Sequence, residues 1–165
     1  IPIQNIEKRI GIAAFQNCLA LSNILFSQSI TNIESAAFKG CSGIKRLRVP
    51  DSVKKIFGAV FRDNISLVEA ELPESIGVIK KSAFRDCTAL ESVTMKSERI
   101  VIEKNVFRGC GRLLDLEIPA GSFVRSSAFL DCPIKEYILS RKDITILMDE
   151  NMQQAEENEP VIEHT

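Results

Sequence analysis

The sequence predicts a strand-rich α/β solenoid, a stack of equal coils sharing one continuous core, and three observations carry that prediction. Phe15, Phe38, Phe61, Phe84, Phe107 and Phe129 follow one another at intervals of 23, 23, 23, 23 and 22 residues. Other apolar residues keep the same step on either side of them, so the chain repeats a pattern rather than a single residue type. Within each unit two apolar columns lie two residues apart, the strand period that puts both side chains on one face. A fixed period between about 20 and 50 residues marks units that cannot bury their apolar faces alone and must stack on their neighbours.

In chain order, IPIQNIEKRI reads as an incomplete first repeat. Each later unit then runs through four parts. Ala14, Ala37, Val60, Ala83, Val106 or Ala128 precedes the aromatic. Three residues after it stand Cys18, Cys41, Asn64, Cys87, Cys110 and Cys132, and next come Leu21, Ile44, Leu67, Leu90, Leu113 and Ile134. This three-residue spacing predicts short helical or 3-10 turns on one wall. The next columns are Ile24, Leu47, Ala70, Val93, Leu116 and Tyr137, then Phe26, Val49, Leu72, Met95, Ile118 and Leu139. They predict a strand on the opposite wall, which Pro50, Pro73 and Pro119 stop. A second short extended piece, such as SVKKI or IVIEK, carries Ile10, Ile33, Ile56, Ile79, Ile102 and Val124 back to the next aromatic.

Composition agrees with a core of this kind. The apolar fraction is 45%, enough for a continuous interior. Net charge is −1, but residues 149–165 hold six acidic side chains and no lysine or arginine, which leaves 21 basic against 16 acidic in residues 1–148. Residues 1–148 are therefore read as a solenoid of about six repeats, with YILSRKDITILMDEN as its C-terminal cap, and residues 149–165 as a disordered acidic tail. The opening IPIQNIEK has no leader pattern. No stretch approaches the roughly 18 apolar residues of a membrane helix, so membrane insertion is not expected.

The consensus A-F-x-x-C-x-x-L-x-x-I-x-L-P-x-S-V-x-x-I, cleanest in AFKGCSGIKRLRVPDSVKKI and AFRDCTALESVTMKSERIVI, resembles the BspA-type leucine-rich repeat over residues 10–139. That resemblance implies a right-handed leucine-rich-repeat solenoid with a concave parallel β-sheet. It also implies kinship with bacterial and protozoan surface proteins of adhesion and recognition. The departures are Asn64 in the cysteine column, Ser27, Lys96 and Ser140 in place of proline, Arg99 at an aliphatic position, and the interval one residue short around Ala120 and Gly121.

No constellation for chemistry emerges, and no enzyme, cofactor or metal is expected. The cysteines lie 22 or 23 residues apart, or 46 across Asn64, and contain no C-x-x-C pair, so they read as buried thiols rather than ligands. A disulfide between adjacent coils is the alternative, and would need Cα atoms closer than about 7 Å. His164 is the one histidine and lies in the acidic tail. Gly109-Cys110-Gly111 lacks the residues of a phosphate loop. Asn64-Ile65-Ser66 matches a glycosylation sequon, but the column should turn Asn64 inward.

Two surfaces follow from the repeat register. Outward strand positions pair as Asn23/Leu25, Arg46/Arg48, Glu69/Glu71, Ser92/Thr94, Asp115/Glu117 and Glu136/Ile138. Strands about 4.8 Å apart should set Arg46 beside Glu69 and Arg48 beside Glu71. Arg46, Arg48, Glu69, Glu71, Thr94, Asp115 and Glu117 form the candidate partner-binding face. Lys39, Arg62, Arg85 and Arg108 form a second, basic column that could hold a polyanion. Asp63, Asp86 and Asp131 follow in sequence and dilute its field, and no aromatic interleaves for base stacking, which argues against nucleic acid.

The function expected is therefore a noncatalytic protein- or glycan-binding module of a cell-surface or secreted protein. The alternative is a structural spacer of a longer, cytoplasmic protein, where free cysteines are tolerated. A homodimer through a repeat end is a further expectation.

Overall fold

The computed structural model describes residues 8–149, to which every structural statement below refers. In chain order the strands are β1 (Lys8–Ile10), β2 (Ile30–Ile33), β3 (Arg46–Arg48), β4 (Lys55–Ile56), β5 (Glu69–Leu72), β6 (Val78–Ile79), β7 (Ser92–Met95), β8 (Val101–Ile102), β9 (Asp115–Leu116), β10 (Phe123–Arg125) and β11 (Thr145–Leu147). A 3-10 turn, Ser126–Phe129, and one helix, α1 (Lys135–Ser140), complete the chain.

The strands stack coil on coil, always in parallel. The concave sheet has the order β3-β5-β7-β9, and the second wall carries β4-β6-β8-β10-β11, with β1-β2 in the same column further toward the N-terminus. Register follows the repeat: Leu47 faces Ala70 and Val93 faces Leu116 in one sheet, while Ile56, Ile79, Ile102, Val124 and Ile146 run through the other. These inward residues are buried except Ile146, which is half-buried. β5 ends directly before Pro73, and the carbonyls of Pro50, Pro73 and Pro119 accept turn hydrogen bonds from Val53, Ile76 and Ser122, while β7 ends before Lys96 without a proline. Arg99, at a position that is aliphatic in other repeats, is exposed, and Ile100 beside it is buried.

The aromatic file is the centre of the core. Successive rings from Phe15 to Phe129 lie 5.2 to 5.9 Å apart between centroids and within 5 to 24° of parallel. Offset stacking of this kind adds about 0.5–1.5 kcal/mol per pair to the burial itself.

The wall carrying the aromatic differs from the helical turns expected. Apart from Ser126–Phe129 it is a run of tight turns, with left-handed residues such as Ala36 and Gly40, or Ala59 and Asp63, four apart in each coil. A helix would keep every amide bond within the coil. Here alternate donors close turns (Cys41 N to Phe38 O, 3.3 Å), and the others reach forward to the next coil, as from Ala36, Phe38 and Gly40 to the carbonyls of Gly58, Val60 and Arg62.

The last coil also departs from expectation. The repeat predicts Tyr137 and Leu139 on the concave strand, but the segment is α1, Tyr137 is exposed, and Ile138, expected to face outward, is fully buried. At helical spacing Ile134 and Ile138 lie on one side, and both reach the core. At the other end, residues 23–26 form no strand, and Leu25 is almost wholly exposed.

Asp149, expected to begin the tail, belongs to the folded body. Its carboxylate accepts the Ser127 N–H at 3.0 Å, and its own N–H donates to Ser126 Oγ at 3.1 Å. Residues 150–165 lie outside the described residues, as does His164.

Candidate binding surface

The concave sheet brings its predicted residues together as the register requires. Arg46 Nε stands 3.1 Å from Glu69 Oε2, and Arg48 Nε stands 3.9 Å from Glu71 Oε2. Lys96, which replaces the proline of other repeats, adds a contact that the periodicity did not reveal: its Nζ lies 2.5 Å from Glu71 Oε1. In the sequence Lys96 marks only a missing turn former, because the period says nothing of a charge beside Glu71. The Lys96 hydrogen bond, with help from Arg48, holds the Glu71 carboxyl below its ordinary range.

Across the sheet the outward charge changes sign. Arg46 and Arg48 keep 83% and 78% of their side chains exposed, so they remain available to a partner despite their ion pairs. Ser92 and Thr94 follow as a neutral stripe, and exposed Asp115 and Glu117 form an acidic end. A trough of about 580 Å³ runs from Asn23 to Thr94 over β3, β5 and β7. Glu136 is exposed on α1, and Ile138 is no part of this face.

The basic column is built differently. The side chains of Arg62, Arg85 and Arg108 are only 22%, 18% and 19% exposed, and their Nε atoms lie 3.7, 3.3 and 3.8 Å from carboxylate oxygens of Asp63, Asp86 and Asp131. Lys39 is half-buried. The guanidiniums are thus packed against the turn wall with an acid beside each, a file of alternating charge.

The cysteine column is structural and polar as well as apolar. Cys41, Cys87, Cys110 and Cys132 each donate a thiol hydrogen bond to the carbonyl of the phenylalanine in the preceding coil, at 2.7 to 3.1 Å. Asn64 does the same with its amide, bonding Phe38 O and Phe61 O at 2.8 Å each, and is 1% exposed, which closes the sequon to modification. All five cysteines are free. Burial pushes the Cys41 and Cys87 thiols up, and the hydrogen bond with Cys132, reinforced by burial, does so for Cys110, so none of these three is a poised nucleophile. Among the described residues, no group of three or more His, Cys, Asp or Glu is placed to hold a metal ion, and no helix is long and apolar enough to cross a membrane.

Stacked phenylalanines, thiols on the preceding carbonyl and parallel strands on two walls all repeat with the sequence period, and residues 8–145 match the model of the BspA type leucine rich repeat region in six copies. The chain belongs to the BspA-type leucine-rich repeat family. Repeats of this family are generally non-catalytic. A solved leucine-rich repeat protein of T. pallidum is 31% identical, with a TM-score of 0.61, over 65% of this chain and 49% of its own. A leucine-rich repeat protein of Bacteroides ovatus is 26% identical, with a TM-score of 0.52, over 86% of this chain and 40% of its own. A leucine rich cell surface protein of Faecalibacterium prausnitzii shares the fold at 22% identity and a TM-score of 0.55, over 93% of this chain and 33% of its own. The chain therefore spans between a third and a half of these proteins, and no curated protein matches it.

Proposed function

We propose that these repeats form a noncatalytic binding module of a cell-surface or secreted protein, and that the concave sheet takes a protein segment. The observation that supports this reading is the polarity of that sheet, with exposed Arg46 and Arg48 at one end and Asp115 and Glu117 at the other. Complementary charge steers association and suppresses wrong partners more than it adds raw affinity. A rigid stack presents such a face with little reorganisation on binding. Protein is favoured over glycan because the described outward positions of β3, β5, β7 and β9 carry no aromatic ring on which a sugar could stack. The concave face is favoured over the Lys39, Arg62, Arg85 and Arg108 column because the arginines there are mostly covered and paired. The surface setting is supported by the leucine rich cell surface protein of Faecalibacterium prausnitzii that shares the fold.

The test is a binding screen of the immobilised chain against secreted and surface proteins, repeated with the charge reversals Arg46→Glu and Arg48→Glu together. The expected result is a partner whose capture falls with the reversal and with added salt. A partner indifferent to the reversal but lost with Lys39→Glu would move the site to the convex wall.

A second reading, a structural spacer in a reducing compartment, is favoured by the five free thiols. A second copy of the chain is a further proposed partner, through the first coil, where Ile12, Leu19 and Leu25 are exposed. A mass independent of concentration in light scattering would reject it.

A further inference from the structure

We infer that the turn wall encloses a file of bound water, held by Ser82, Asn105, Ser127 and Asp149. These four residues occupy one position of the repeat, 23, 22 and 22 residues apart, two residues ahead of the aromatic in the coils that have one. All are buried: Ser82 is 4% exposed, Asn105 and Ser127 are 0%, and Asp149 is 7%. Among the described residues, Ser82 Oγ, both amide atoms of Asn105, Ser127 Oγ and Asp149 Oδ1 have no hydrogen-bond partner.

Backbone conformation does not explain these side chains. Ser82 and Asn105 have φ of 60° and 56°, a region that serine and asparagine tolerate, but Ala13, Ala36 and Ala59 hold the same repeat position at 54 to 56° with no polar atom at all. The polar residues begin at Ser82 and continue to the last described residue, although Ala36 is as deeply buried as they are. A buried polar atom left unsatisfied is destabilising, so a file of five needs a ligand that both donates and accepts.

The coil spacing selects that ligand. Like atoms on successive parallel coils stand about 4.8 Å apart, too far for the 2.7–3.0 Å of a direct hydrogen bond. A water with two legs of about 2.8 Å at a tetrahedral angle spans about 4.6 Å, which matches the step. Water also suits the mixed set of atoms, because Asn105 Nδ2 donates, Asn105 Oδ1 and Asp149 Oδ1 accept, and the hydroxyls do either. A divalent cation would want six or more oxygens, and the file supplies a single carboxylate. The neighbouring column shows what a dry solution looks like: the Cys87 and Cys110 thiols reach the preceding carbonyls directly at 3.1 Å.

The file ends at the point where Asp149 closes the last coil. The Ser127 N–H, whose counterpart on Ser82 donates to Lys104 O in the next coil, goes to Asp149 Oδ2. The second carboxylate oxygen is thereby left for the terminal water.

A high-resolution crystal structure of the chain, with nuclear Overhauser transfer from water to the Ser127 N–H and the Asn105 side-chain amide in solution, tests this. Ordered waters within about 3.2 Å of Asn105, Ser127 and Asp149, with water-to-amide cross-peaks that survive in the native chain and vanish in the Ser82→Ala, Asn105→Ala and Ser127→Ala triple variant, are expected. Alanine at this position is already tolerated by the first three coils, so the variant should fold, and circular dichroism verifies that. Side chains bonded to one another with no solvent density, contacts short enough for a metal ion, or cross-peaks unchanged in the folded variant would each overturn the inference.

Discussion

The first coil and the interior coils carry the same motif, yet they are not equally buried. Phe15 keeps 41% of its surface exposed, while Phe38, Phe61, Phe84, Phe107 and Phe129 keep 2% or less. Ile12, Leu19 and Leu25 are exposed in the first coil, and Ile24 and Phe26 are only half-buried where Leu47 and Val49 of the next coil are buried. The motif supplies the residues of a core, but a described neighbour on both sides supplies the burial. At the opposite end Phe129 is as covered as any interior ring, and Asp149 is hydrogen-bonded to Ser126 and Ser127 ahead of it.

Substitutions at equivalent positions of the two regions should measure that difference. Phe84→Ala removes a fully buried ring stacked on both faces, and should cost about 3–5 kcal/mol in denaturant unfolding. Phe15→Ala, stacked on one described face and partly exposed, should cost less than about half as much. Equal costs would show that the first coil is buried as deeply as the rest.

A smaller contrast lies in the column beside the aromatics. Asn64→Ala takes a donor from the carbonyls of Phe38 and Phe61 and should cost about 1–3 kcal/mol, with Asn64→Cys restoring most of it. Cys18→Ala, in a coil with no described coil before it, should cost less than about 1 kcal/mol by the same measurement.

The smallest expected effect is on the surface of the interior coils. Glu71 titrates below its ordinary range, so the stability it contributes is complete at neutral pH and is lost as pH falls through its depressed value. Lys96→Ala should raise the Glu71 midpoint in an NMR titration and cost less than about 1 kcal/mol, because both side chains are substantially exposed. A midpoint unmoved by the substitution would remove Lys96 from the face.

The parts of the fold that repeat were legible in the sequence. The aromatic file, both sheet registers and the ion pairs of Arg46 with Glu69 and Arg48 with Glu71 all follow from one step of 23 residues, since equal spacing on a parallel stack means adjacency. What escaped notice breaks the period or depends on backbone geometry. The helix at Lys135–Ser140 replaces a strand in a segment whose apolar residues fit either period, and burial of Ile138 decides between them. Asp149 sits at a repeat position, but no phenylalanine follows to mark it, and its acidic company hid it. The left-handed turns were invisible because alanine, serine, asparagine and aspartate, and not glycine alone, occupy them along this wall.

The forward-reaching amides of that wall have an electrical consequence. From Ala13 N to Ser35 O through Gly109 N to Leu130 O, each such N–H points toward the C-terminal end and each accepting carbonyl toward the N-terminal end. Peptide dipoles aligned head to tail add, as they do in an α-helix, whereas the two strand walls send their bonds both ways and largely cancel. The stack is therefore polarised along its axis, with partial positive charge gathered at the last coil. Asp149 places its carboxylate on the Ser127 N–H at that pole, as an acidic residue does at the start of a helix.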